Sequence, residues 1–240
     1  GLDLISMPSI AIAEVEVVYT GRAAHASAQP FLGVNALDAL VIAYQSIAAL
    51  RQHIKPTERI HGVITDGGRA PNVVPDRAAG RFYVRAKNAS ELEPLKARVA
   101  GCFEAGARAT GATVEIGWQG VDYLELLDSA PLAAAYRSNG ERLGRTFLPL
   151  EKLPTGFQGS TDMGNVSHRV PSIHPMIAAA PPTCVIHHPE FATWAASELG
   201  DRAALDGAKA LAMTALDFFC DAELRERTRR AFDDSSERRD

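Results

Sequence analysis

A chain of 240 residues, 46% apolar and 22% charged, can form one large domain or two of modest size and has the balance of a soluble globular protein. Its net charge of −4 excludes the basic footprint of a nucleic-acid binder, and no apolar run reaches the roughly 18 residues of a membrane span. Cys102, Cys184 and Cys220 lie far apart and form no C-x-x-C, which suits reduced thiols and a cytoplasmic protein.

Residues 1–10 lack the basic start and long apolar run of a signal peptide and are expected to be the end of a preceding segment or a linker. From Ala11 to Tyr19 apolar and acidic residues alternate, the pattern of a half-buried strand. A loop over 20–33 follows. Val34, Leu37, Leu40, Val41, Tyr44, Ile47 and Leu50 then recur at helical spacing, with Asn35 as N-cap and Pro56 as the stop. A second strand is expected over Arg59–Thr65, ended by Asp66-Gly67-Gly68, and a third over Ala78–Arg85. Ser90 and Glu93 read as a capping box for a helix through Leu92, Leu95, Val99, Cys102 and Phe103. Thr113–Trp118 alternates again. The order βαββαβ over about 11–120 predicts a ferredoxin-like domain with two helices on one face of an antiparallel sheet.

The remainder, 121–240, reads as a different unit. The spacing predicts a helix from Pro131 to Gly144 and a short strand over Leu148–Leu153. A polar turn spans Gly156–Gly164, and buried strands are expected over Ser172–Ala180 and Thr183–Ile186. Asp201 is expected to precede a long helix carrying Leu205, Leu211, Leu216 and Phe219. Arg225 to Arg239, interleaved with Glu226, Asp233, Asp234 and Glu237, reads as a solvated helix and tail. Strands alternating with helices point to part of an α/β sheet.

Six residues are candidates for chemistry. His25 sits among small residues in Gly21-Arg-Ala-Ala-His-Ala-Ser27, where a substrate can approach; a loop histidine can equally be merely solvated. Asn72, in a loop stiffened by Pro71 and Pro75, can donate an amide hydrogen bond or simply serve a turn. Arg85, at a strand end, can grip a carboxylate with its planar fork or stand as a surface charge. His187 and His188 follow a predicted strand, a rigid place to hold an imidazole toward a metal. Asp162 can orient a metal ligand from behind or cap the next turn. Neither a G-x-S-x-G elbow nor a nucleotide-binding glycine loop occurs.

Six segments stand in a telling order: Gly21-x-x-x-His25-Ala-Ser, Asn35-Ala-Leu-Asp-Ala, Arg59-Ile-His-Gly, Ala70-Pro-Asn-Val-Val-Pro75, Gly159-Ser-Thr-Asp-Met-Gly-Asn-Val-Ser167 and His187-x-Pro-Glu-Phe191. Together they resemble peptidase family M-twenty, zinc amidohydrolases of the aminoacylase and carboxypeptidase G type. The aminobenzoyl-glutamate hydrolase and β-alanyl-lysine dipeptidase branch is the nearest in look. The resemblance implies a lid and dimerisation domain over 11–120 and the C-terminal part of an α/β catalytic domain over 121–240. It implies hydrolysis of an amide bond in a small peptide or N-acyl amino acid at a two-metal centre of zinc, with cobalt or manganese also acceptable to such ligands.

In that family pattern His25 matches the lid histidine that polarises the scissile carbonyl across a homodimer. Asn72 and Arg85 match substrate-binding positions, Arg85 as holder of the carboxylate. His187 matches the C-terminal metal ligand, with His188 as the alternative register, and Asp162 is the candidate behind the ligands. The chain departs from the pattern in having no His-x-Asp and no Glu-Glu pair, which carry most of the family's ligands. By itself it is therefore expected to bind zinc poorly and to be inactive, the parent protein being the enzyme. The competing expectations are a non-catalytic dimerising or ligand-binding module on the same scaffold, and a small-molecule sensor.

Overall fold

The computed structural model describes residues 1–154 and 156–237, which divide into two compact units. Arg238 and Arg239 of the predicted basic tail lie outside the described residues.

One unit spans Ile10–Glu125. Its elements are β1 (Ala11–Thr20), α1 (Ala36–Leu50), β2 (Arg59–Asp66), β3 (Arg77–Ala86), α2 (Ala89–Thr110) and β4 (Thr113–Tyr123). The strands form an antiparallel sheet in the order β2-β3-β1-β4, the ferredoxin-like arrangement expected from the βαββαβ order. Period-two alternation decides which face is covered. Ala11, Ala13, Val15, Val17 and Tyr19 of β1 are buried beside Phe82 and Val84 of β3, and α1 and α2 supply Leu40, Ile47, Leu92, Val99 and Phe103 to the same core. Phe82 touches the rings of Tyr44 and Phe103 at centroid distances of 5.9 and 5.1 Å. The buried phenol of Tyr19 donates to the Phe103 carbonyl at 2.8 Å, so the one polar atom it brings inside is satisfied.

Asn35 caps α1 by accepting the N–H groups of Leu37 and Asp38 at 2.9 and 3.2 Å. For α2 the cap is Asn88, which accepts from Glu91 at 3.0 Å. Ser90 lies inside the first turn and donates to Asn88, so the Ser90–Glu93 box is replaced. An asparagine two residues earlier competes for the same orphan N–H groups and wins. The two helices approach closely at Gly106, where a Cβ would lie 2.2 Å from the Ala39 carbonyl oxygen.

The second unit comprises residues 1–9 together with 126–237. It contains α3 (Ala130–Arg142), α4 (Met163–Ser167), α5 (Pro189–Ala195), α6 (Glu198–Cys220) and α7 (Ala222–Glu237). Asn139 on α3 donates to Asp217 on α6 at 2.7 Å, and Arg145 pairs with Asp206 at 2.8 Å. Three expectations are corrected. Leu148–Leu153 is no strand; Leu150–Lys152 form a 3₁₀ turn. No strand forms over 172–180 or 183–186; only single bridges, Leu4 with Met176 and Asp128 with Ser172, touch the first of these segments. An extended segment becomes a strand when a neighbour completes its ladder, and among the described residues none does. The long helix begins at Glu198 behind Ser197, so Asp201 lies within it. Leu205, Leu211, Leu216 and Phe219 are exposed, while Gly200, Ala203, Ala210 and Thr214 form its buried face.

Candidate functional site

His25 and Asn72 are brought together by backbone pairing. Beyond the end of the β1–β3 ladder, Gly21 donates to the Asp76 carbonyl at 2.8 Å, and the two chains then meet again. Ala26 N–H donates to the Asn72 carbonyl and Val74 N–H to the Ala24 carbonyl, both at 3.0 Å, with His25 opposite Val73 between them. Asn72 is the third residue of a turn closed by Val73 N–H on the Ala70 carbonyl at 3.2 Å, with Pro71 in the position proline favours. The amide side chain is thus held on a stiff turn beside the histidine loop.

The His25 imidazole is exposed and its orientation is fixed from one side. Its Nδ1 accepts the backbone N–H of Ser27 at 3.3 Å and of Ala28 at 3.2 Å, with Ser27 Oγ also at 3.3 Å. A nitrogen facing two N–H donors carries no proton, so the neutral ring carries it on Nε2. That leaves Nε2–H as a donor for a carbonyl oxygen, the group an oxyanion needs.

Arg85 is not brought to this pair. It stands at the other end of β3, which is roughly 26 Å long from Arg77 at 3.3 Å per residue. Its Nε donates to His61 Nε2 at 3.3 Å, and the guanidinium lies 5.9 Å from the centre of the Tyr83 ring. Burial, with the charges of Arg85 and Arg51 adding to it, holds the His61 imidazole below its ordinary value.

In the second unit His187 has φ 66°, the only positive φ of a non-glycine among the described residues. Holding a histidine in the left-handed region costs on the order of 1 kcal/mol and is the kind of strain that persists at functional positions. Its neighbour is otherwise engaged: His188 Nδ1 caps α5 by accepting the Glu190 N–H at 3.3 Å. Asp162 is exposed at the start of α4 and accepts from Thr161 Oγ1 at 3.3 Å; among the described residues no hydrogen bond joins it to His187. Zinc at a catalytic centre takes three protein ligands. Among the described residues no three His, Cys, Asp or Glu side chains come together, so these residues alone do not fit the metal.

Two features escaped sequence reasoning. Val73 stands directly across from His25, and the amides of Ser27 and Ala28 fix the ring. The motif marked these stretches as loops, but pairing between two loops leaves no periodicity to read.

Residues 11–110 match the model of a peptidase dimerisation domain. Over 227 residues, 94% of this chain and 52% of the relative, the sequence is 43% identical to the Xaa-Arg dipeptidase of Mus musculus. Residues 11–110 are thus a dimerisation domain of the M-twenty peptidase type, and the chain as a whole is similar to a dipeptidase. It is also 38% identical over 98 residues to a p-aminobenzoyl-glutamate hydrolase component of Escherichia coli, covering 40% of this chain and 20% of that protein. A hydantoinase/carbamoylase family amidase from Burkholderia ambifaria shares the fold at a TM-score of 0.58 and 17% identity, over 88% of this chain and 49% of its own. The chain spans about half the length of the curated M-twenty dipeptidases it matches. Within the family frame, the ferredoxin-like unit is the dimerisation domain.

Proposed function

We propose that this chain is part of a metal-dependent hydrolase that cleaves the amide bond of a dipeptide or N-acyl amino acid, with a dipeptide ending in arginine as the preferred class. The observation that carries the proposal is the 43% identity to a dipeptidase across 94% of the chain. The Nε2–H donor of His25 supports it, since a carbonyl turning into an oxyanion is stabilised by a donor already aimed at it. Asn72 binds the substrate beside His25, and Arg85 takes its carboxylate. His187 contributes one ligand to a zinc centre, its cobalt and manganese forms being alternatives, and Asp162 acts from behind the ligands. The other ligands come from polypeptide outside these 240 residues. Support for that lies in the half-length match to the dipeptidases and in the lack of a three-ligand cluster among the described residues.

The protein acts as a homodimer through the lid. The edge strand β2 leaves Val63 and Ile64 exposed, an apolar edge suited to a second copy. His25 and Arg85 lie at opposite ends of one sheet, too far apart for a single dipeptide, so each substrate meets His25 of one lid and Arg85 of another. A cytoplasmic location accords with three free thiols. Among the described residues no helix is long and apolar enough to cross a membrane.

The test is turnover of an Xaa-Arg dipeptide by the full natural protein, with and without a metal chelator. Hydrolysis abolished by the chelator and restored by zinc supports the reading. A protein that binds such dipeptides without cleaving them is instead the non-catalytic module.

A further inference from the structure

We infer that Val73 is a specificity-determining residue: it forms the wall that receives the acyl-side residue of the substrate, and it selects an apolar side chain there. The inference rests on the hydrolase reading above and deepens it.

The geometry follows from the pairing. Hydrogen bonds at Ala26–Asn72 and Val74–Ala24 flank the His25–Val73 pair, so these two residues exchange none between themselves. Antiparallel partners of this kind are the closer type, with Cα atoms about 4.5 Å apart and side chains adjacent on one face. Val73 therefore stands beside the imidazole, and 43% of it remains open to solvent. A valine left this exposed on a loop stiffened by Pro71 and Pro75 has no burial to explain it. Phe31, 77% exposed, and Leu32, 48% exposed, continue the apolar character of the His25 loop.

A carbonyl whose oxygen accepts from His25 Nε2–H places its own substituents within a few bonds of that face. The arginine side of the substrate needs acceptors and charge, which a valine cannot offer. The acyl-side residue, whose identity the dipeptidase name leaves open, needs only a surface of matching polarity. An isopropyl group there favours aliphatic and aromatic side chains and disfavours charged ones, because a charge placed against it loses water without gaining a partner.

The experiment compares kcat/KM of the full natural protein for Leu-Arg, Phe-Arg, Gly-Arg and Lys-Arg across wild type, Val73→Ala and Val73→Asp. The alanine variant truncates a half-exposed side chain and leaves the backbone pairing intact. The expected result is a loss of roughly tenfold or more for Leu-Arg and Phe-Arg in both variants, with Gly-Arg changed by less than about threefold and Lys-Arg improved by Val73→Asp. An equal loss on all four dipeptides in both variants, or no change on any, overturns the inference while leaving the hydrolase reading intact. Wild-type protein that cleaves none of the four overturns the hydrolase reading and the subsite with it.

Discussion

His25 and Val73 face each other across two loops, locked by the Ala26–Asn72 and Val74–Ala24 hydrogen bonds of 3.0 Å on either side. The same loop turns the Ser27 and Ala28 amides onto His25 Nδ1. In nitrogen NMR of the imidazole at neutral pH, Nδ1 is expected to show the unprotonated signature and Nε2 the protonated one. A majority of the opposite tautomer would remove the donor assigned to the carbonyl.

The separation of His25 and Arg85 along β3 gives a second expectation. Mixing His25→Ala with Arg85→Ala protomers makes heterodimers in which one of two sites has both residues intact. Random 1:1 pairing should recover about a quarter of wild-type activity from two variants that are each nearly inactive. Recovery no greater than the sum of the two homodimers would place both residues in one protomer's site.

His61 predicts a pH dependence of stability. Its folded value is depressed by burial, by Arg85 and by Arg51, so between about pH 6.5 and that lower value the unfolded chain binds a proton that the folded chain refuses. Stability therefore falls as pH drops through this window and is unaffected by His61 above it. Thermal melts from pH 8 to 5 should show the decline, and His61→Gln should flatten it. A His61→Gln variant with the same decline would show that another group causes it.

Gly106 sets the distance between α1 and α2, since a Cβ there would meet the Ala39 carbonyl oxygen at 2.2 Å. Backbone cannot yield as a flexible side chain can. Gly106→Ala is expected to destabilise the protein by about 1–3 kcal/mol, read from the urea midpoint, despite alanine's better helix propensity. A stabilised variant would mean that the helices can separate freely.

The ferredoxin-like unit was legible because its signals are local. Alternation in β1 and β3, helical spacing after Asn35 and glycine turns each act within a few residues, and together they determine a four-stranded sheet with two helices. The second unit was less legible. Apolar runs over 172–180 and 183–186 read as strands, yet a strand needs a neighbour that a run of residues cannot reveal. Leu205, Leu211, Leu216 and Phe219 showed where a helix lies but not which way it turns, and its buried face is made of small residues. For the proposed site, the motif singled out His25, Asn72 and His187 as candidates, and of these the fold pairs the loops of His25 and Asn72. The Val73 pairing, the Nδ1 acceptor bonds and the left-handed His187 arise only when the loops fold.

The most direct measurement is turnover of an Xaa-Arg dipeptide by the full natural protein carrying His25 or His25→Ala, with dimerisation and metal content checked in both. A preorganised carbonyl donor predicts a loss of about 10²–10³-fold in kcat with little change in KM. Equal kcat in the two proteins would contradict the role of His25.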